Sequence, residues 1–164
     1  MAAGETATTL LIYKGICIEA CGIRPLDTKN VLDGRFIKKK SADRKHYDFY
    51  MEMGGARLRP SEEMCHKLFA CKGTRIFQTP LTFEFDATAV TVTKGSDGDA
   101  IPALRGTVRE VVDYGEIQYA RIALGDSEAT VIAVYNGRVG DEVSLTADDT
   151  RITVKDRTID MIIV

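Results

Sequence analysis

The sequence predicts a mainly β protein, built as one or two small OB-like barrels or as a sandwich, with a single helix. Short runs rich in β-branched residues recur at roughly ten-residue spacing from residue 74 to residue 164. Clusters of Gly, Asp and Asn separate these runs, and such clusters are typical of turns. Only one segment, at about residues 62–72, combines helical spacing with helix caps.

The composition is that of an ordinary globular protein. The chain has 164 residues with a formal net charge of −2, of which 45% are apolar and 28% charged. The longest apolar runs, residues 10–13 and 161–164, are far shorter than the roughly 18 residues of a membrane span. The composition excludes a coiled-coil rod, a collagen and a disordered tail, and we expect no membrane insertion. Residues 1–15 lack the pattern of a secretory signal, which favours a cytoplasmic location.

The N-terminal part is expected to contain strands and a hairpin. Residues 8–18 are rich in β-branched side chains and predict one strand, with Gly15 marking a bulge. Turn-forming residues follow over residues 22–34. Residues 36–40 and 46–53 predict two strands joined by a basic loop.

The helix at residues 62–72 has clear signals at both ends. Ser61 is a good N-cap, and Glu62 and Glu63 place negative charge beside the positive end of the helix dipole. Lys72 and a following glycine end the helix. Four apolar residues share one face, which is expected to pack on a sheet: Met64, Cys65, Leu68 and Phe69.

The rest of the chain predicts strands and turns almost without interruption. The predicted strands are residues 74–78, 81–85, 89–93, 106–113, 117–124, 129–135, 142–146, 151–154 and 157–164. Residues 95–102 have the composition of a linker. We therefore expect two units, residues 1–94 with the helix and the basic hairpin, and residues 103–164 as an OB-like barrel.

A short motif occurs twice. Residues 85–92 and residues 147–154 share the pattern Asp-x-Thr-x-(Val/Ile)-Thr-Val. Either two related units end with the same strand, or two edge strands resemble each other by chance.

No residue constellation predicts catalysis, a metal or a cofactor. The cysteines, at positions 17, 21, 65 and 71, lack the close pairs of a zinc ribbon and are interpreted as small buried side chains. The two histidines, His46 and His66, have no evident catalytic partner. Glu84 lies between two phenylalanines, but an alternating strand would turn it towards water. We therefore expect a non-enzymatic protein.

The strongest local feature is a basic loop, residues 38–45, followed by aromatic residues. Basic residues next to aromatic rings are typical of surfaces that follow phosphates and stack bases. Two other interpretations of the same residues are a hairpin tip that is merely solvated and a binding site for an acidic protein. The candidate anion- or partner-binding residues are Arg35, Lys38, Lys39, Lys40, Arg44, Lys45, Tyr47 and Phe49.

The charge is divided unevenly between the two halves. Residues 1–80 hold 14 basic and 9 acidic residues, a net charge of +5, and residues 81–164 hold 8 and 15, a net charge of −7. Opposite charges favour head-to-tail contact between copies, which generates rings or filaments. A self-assembling structural subunit of virion or tail type is therefore one hypothesis, and chance scatter of surface charge is the alternative.

The second half resembles a known family. Gly106-Thr-Val108, Tyr114-Gly115, Val139-Gly-Asp-Glu-Val143 and a closing strand near Val154 occur in the order found in the TOBE domain, the OB-like barrel of many ABC importer ATPase subunits. This resemblance implies a non-enzymatic binding or regulatory β-barrel module. The alternatives are the self-assembling subunit and an OB-type nucleic-acid-binding protein that uses residues 38–45.

The sequence departs from the family pattern at two points. A phosphate-binding Gly-x4-Gly-Lys-(Ser/Thr) motif is absent, which excludes an ATPase of that type. In free-standing relatives that bind molybdate, Ser-Ala-Arg-Asn precedes the first strand, whereas this chain has Ile101-Pro-Ala-Leu-Arg105. The resemblance therefore does not carry a molybdate site over to this chain.

Overall fold

The computed structural model describes residues 28–95, 104–125 and 129–164, and the backbone alone of residues 11–13 and 16–18. The strands are β1 Leu11–Tyr13, β2 Ile16–Ile18, β3 Lys29–Lys40, β4 Tyr47–Met53, β5 Ala56–Leu58, β6 Leu81–Asp86, β7 Val90–Lys94, β8 Leu104–Asp113, β9 Gln118–Leu124, β10 Thr130–Val134, β11 Glu142–Ala147, β12 Thr153–Asp156 and β13 Met161–Ile162. The α-helix, α1, spans Glu62–Lys72, and 3₁₀ turns cover Gly73–Gln78, Ala87–Ala89 and Asp149–Arg151. The prediction of a mainly β fold with a helix at 62–72 is confirmed.

The strands form two antiparallel sheets and a small separate pair. One sheet has six strands in the order β13-β12-β6-β3-β4-β5, and the other has five in the order β10-β9-β8-β11-β7. Among the described strands, β1 pairs with β2 alone. Buried residues of both large sheets belong to one hydrophobic cluster, so the sheets share a core.

The two large sheets exchange strands at two matching crossovers. The chain passes from β6 in the six-stranded sheet to β7 in the five-stranded sheet, and it returns from β11 to β12. At each crossover an aspartate, Asp86 or Asp148, caps a 3₁₀ turn and accepts hydrogen bonds from the threonine two residues later. The repeated motif therefore has the same local structure in both copies. The proposed division at residues 95–102 stays a prediction, since residues 96–103 lie outside the described part.

Helix α1 covers the inner face of the six-stranded sheet. Its N-cap is Ser61, whose hydroxyl accepts the backbone N–H of Met64 at 3.1 Å. Of the four residues predicted to face the sheet, Met64 and Leu68 are buried, while Cys65 and Phe69 are half-buried. Carboxylates from the later part of the chain hold both helix ends, because Asp149 accepts the Ser61 N–H at 2.6 Å and Asp156 pairs with Lys72 at 2.5 Å.

Two predictions near the helix and the first long strand were wrong. Residues 74–78 form a 3₁₀ turn rather than a strand, because the chain continues to coil after α1 and buries Ile76 in the core. Residues 29–34 belong to β3 rather than to a turn. Their turn-forming residues have tertiary roles: Asp33 accepts the Thr82 hydroxyl, and a Cβ on Gly34 would lie 1.8 Å from the Glu52 carbonyl oxygen.

The ends of the chain also differ from the prediction. The single strand predicted over residues 8–18 is instead the antiparallel pair β1 and β2, with Leu11 opposite Ile18, and Gly15 lies outside the described residues. The strand predicted over residues 157–164 is reduced to β13, because residues 157–160 form a turn. In that turn Asp156 accepts both the N–H and the hydroxyl of Thr158, which favours the turn over an extended backbone.

Candidate anion-binding surface

The predicted basic loop is the tip of the hairpin formed by β3 and β4. Residues 35–47 are called the basic hairpin from here on. In its register Lys38 lies opposite Phe49, and Lys40 lies opposite Tyr47. The loop closes through the Ser41 N–H, which donates to the His46 carbonyl at 2.8 Å. The alternation of the strand residues and the hydrogen bond that closes the loop therefore determine the positions of the basic side chains.

Asp43 organises the loop from within. Its carboxylate accepts the hydroxyl of Ser41 and the N–H of Lys45, and these two bonds, with His46 nearby, lower the pKa of Asp43. Arg44 adopts a left-handed φ of +59°, and its side chain is exposed. The one acidic residue of the loop is thus already occupied by loop contacts.

The structure divides the predicted cations between two faces of the hairpin. Because successive strand residues point to opposite faces, Lys38 and Lys40 share the face of buried Phe36. Arg35 and Lys39 lie on the opposite face, across from Glu52 and Asp48. The eight predicted residues therefore surround the tip of the hairpin rather than forming one patch.

None of the predicted cations makes an ion pair with another residue in the described part of the chain. The nearby carboxylates Glu52 and Asp48 pair instead with Arg57 at 3.1 Å and Arg59 at 3.2 Å. Within the described parts of the chain, six exposed cations have no carboxylate partner: Arg35, Lys38, Lys39, Lys40, Arg44 and Lys45. Residues 35–59 together hold eight basic and three acidic residues, a net charge of +5.

Of the two predicted aromatic site residues, only Tyr47 presents an exposed ring. Tyr47 is 47% exposed, and the Lys38 ammonium lies 4.9 Å from its ring centre. The same ammonium lies 5.1 Å from the ring of Phe77. Phe49 is half-buried and stacks on Phe36 with ring centres 5.7 Å apart. Phe49 therefore supports the core beneath the hairpin.

An open cleft of about 260 Å³ lies beside Tyr47, between the hairpin and the start of α1. Its walls combine rings, charged groups and a thiol. The lining residues are Tyr47, Asp48, Phe49, Arg59, Pro60, Glu62 and Cys65. Burial raises the pKa of the Cys65 thiol, which keeps it protonated near neutral pH. Sequence reasoning missed the contribution of Arg59 and Glu62 to this cleft, because it depends on how β5 leads into α1.

A second cleft of about 260 Å³ near the β6 crossover has a different charge balance. Glu84 lies there between Lys29 at 2.7 Å and Lys155 at 2.9 Å, and both ion pairs lower its pKa. Its side chain is only 12% exposed, so the prediction that Glu84 simply faces water was wrong. Both lysines of this cleft are paired with the Glu84 carboxylate, unlike the lysines of the basic hairpin.

The described residues contain no group of three or more His, Cys, Asp or Glu side chains placed to hold a metal ion. Cys65 and Cys71 are free thiols, and the side chains of Cys17 and Cys21 are outside the described part. Among the described helices, none has the length and apolar character needed to cross a membrane.

The two curled antiparallel sheets share a core and form a half-barrel, which is consistent with a small OB-like fold. A comparison with solved structures finds a likeness to the cytoplasmic molybdate-binding protein ModG, in a crystal form with molybdate bound. The TM-score is 0.52 and the identity 16%, over 76% of this chain and 94% of that chain. This likeness supports a TOBE-like fold. No family model matches the chain, and no curated protein matches it.

Proposed function

We propose that this chain is a non-enzymatic binding module of the TOBE/OB type, and that its basic hairpin binds an anionic ligand. One observation carries the proposal: six exposed cations lie within eleven residues, from Arg35 to Lys45, without an ion pair to any described residue. By contrast, Lys29 and Lys155 of the six-stranded sheet and Arg157, in the turn after β12, each have a carboxylate partner.

Clustered cations without partners repel one another, and a bound anion removes that repulsion. At separations of several ångströms near a protein surface, each added charge pair contributes an attraction on the order of 1 kcal/mol, which falls with added salt. The fold-level likeness to ModG adds support for an anion as the ligand class, because the ligand named for that protein is the oxyanion molybdate.

The test is isothermal titration calorimetry of the full chain with sodium tripolyphosphate and, separately, with sodium molybdate, in 50 mM salt. We expect tripolyphosphate to bind, and we expect the combined variant Lys40→Ala, Arg44→Ala, Lys45→Ala to weaken it by at least tenfold. A matched control removes three exposed cations from the C-terminal half by Arg105→Ala, Arg109→Ala and Arg138→Ala. Equal weakening by both variants, or no binding of either anion, would contradict the proposal.

A second candidate function is self-assembly, favoured by the opposite net charges of residues 1–80 and residues 81–164, +5 and −7. The basic hairpin of one copy would face acidic side chains of the next. Met161 and Ile162, at the edge of the six-stranded sheet, are 59% and 63% exposed and offer apolar surface to a second copy. Mass measurement at rising protein concentration in low salt tests this candidate, and a strict monomer throughout would rule it out.

A further inference from the structure

The cleft beside Tyr47 and the basic hairpin lie side by side. Tyr47 belongs to both, and its partner across the hairpin is the unpaired Lys40. The Lys38 ammonium lies 4.9 Å from the same ring. A ligand that extends from the cleft along the hairpin would therefore meet an aromatic surface first and a row of positive charges next.

We infer that the basic hairpin and this cleft together bind single-stranded nucleic acid, with one base against Tyr47 in the cleft and the backbone phosphates on the hairpin cations. This inference rests on the proposed function, because it specifies which anionic ligand the basic hairpin binds. Basic grooves with exposed aromatic side chains are the common means of binding single strands.

The placement of the cations suits a chain of phosphates. Lys38 and Lys40 lie on one face, about 7 Å apart along the strand, and Arg44 and Lys45 continue the positive surface around the tip. A compact anion would contact two or three of these cations at most. A flexible polyanion can follow them in sequence, which favours an extended ligand.

The shape and lining of the cleft suit one flat ring. Its volume of about 260 Å³ lies just below the range of pockets for drug-sized ligands. Tyr47, Phe49 and Pro60 give it apolar surface on which a base can stack. An unstacked base from a single strand can enter such a cleft, whereas the bases of a duplex stay paired and stacked.

The charges within the cleft favour a nucleic acid over an acidic protein. Asp48 and Glu62 line it, and Glu62 is exposed and makes no ion pair with another described residue. A glutamate or aspartate of a partner protein would be repelled here. A neutral base with an amino group would instead donate a hydrogen bond to the Glu62 carboxylate, as cytosine does to acidic side chains. Cytosine and adenine are therefore preferred to thymine.

The test measures fluorescence anisotropy of labelled 12-nucleotide dC and dT single strands with the full chain. We expect dC to bind more tightly than dT. If about four phosphates are contacted, the affinity for dC falls by roughly 50-fold between 50 and 200 mM salt. Tyr47→Ala should weaken binding by roughly 5- to 100-fold without changing the salt dependence. Glu62→Gln should reduce the preference for dC by several-fold.

The variants separate this inference from the proposed function. We expect the slope of log affinity for dC against log salt concentration to decrease in magnitude by about 2 in the combined variant Lys40→Ala, Arg44→Ala, Lys45→Ala. The control variant at Arg105, Arg109 and Arg138 should leave this slope unchanged. Tripolyphosphate binding with no dC binding at 50 mM salt would overturn the inference and leave the proposed function intact. Equal competition by polyglutamate of similar length, or an unaffected Tyr47→Ala variant, would also overturn it.

Discussion

The side chain of Asn30 replaces a missing strand partner for Ile132. Its Oδ1 accepts the Ile132 N–H at 2.7 Å, and its Nδ2 donates to the Ile132 carbonyl at 2.9 Å. Asn30 is on β3 of the six-stranded sheet, and Ile132 is on β10 at the edge of the five-stranded sheet. One buried amide therefore joins the two sheets where no backbone ladder does.

Removing this amide should destabilise the protein strongly. Asn30→Ala leaves a buried N–H and a buried carbonyl of Ile132 without partners, which costs about 2–4 kcal/mol of the free energy of unfolding. Urea unfolding followed by circular dichroism measures the change. Asn136→Ala, at an exposed turn, is the matched control and should change stability by less than about 0.5 kcal/mol. Equal effects of both variants would show that the amide does not join the sheets.

The two crossover threonines should differ in their contribution to stability. The Thr88 hydroxyl donates to Asp86 at 2.6 Å and also accepts from Arg151 at 2.5 Å, whereas among the described residues the Thr150 hydroxyl bonds only to Asp148. Thr88→Ala should therefore cost about 1 kcal/mol more than Thr150→Ala in chemical unfolding. A larger cost for Thr150→Ala would argue against the Arg151 bridge between the crossovers.

Acid should weaken the link between α1 and β12. Lys72 and Thr158 hold the pKa of Asp156 at about 2, below its ordinary value of 3.8. Because this folded-state pKa is depressed, the stabilisation is complete above about pH 4 and is lost as the pH falls towards 2. As the pH is lowered from 5 to 2, the free energy of unfolding should decrease less steeply for Asp156→Asn than for the unchanged chain. Glu116→Gln, an exposed control, should leave the slope as it was.

The sequence predicted local features better than partnerships between distant residues. The bounds of α1 could be predicted because Ser61 and Gly73 act within one helical turn of its ends. Residues 29–34 were misassigned because the strand that pairs with them, β6, is about fifty positions away, with Val31 opposite Glu84. The same limit hid the crossovers, since neither copy of the repeated motif indicates which sheet its strand joins.

The candidate site shows the same division. The basic residues and Tyr47 could be identified because they are contiguous in the sequence. Their lack of ion pairs could not, since it depends on Arg57 and Arg59 occupying the nearby carboxylates. Phe49, whose contact with a ligand stays a prediction, also packs against Phe36 beneath the hairpin, and an alternating pattern alone does not show where the core ends.

The most direct test of anion binding by the basic hairpin is a two-dimensional ¹H–¹⁵N NMR titration of the full chain with tripolyphosphate in 50 mM salt. Binding at the unpaired cations predicts that the largest and saturable shifts fall on the amides of residues 35–47, with smaller shifts at the start of α1. Shifts concentrated in residues 104–164, or the absence of saturable shifts in residues 35–47, would contradict the proposed function.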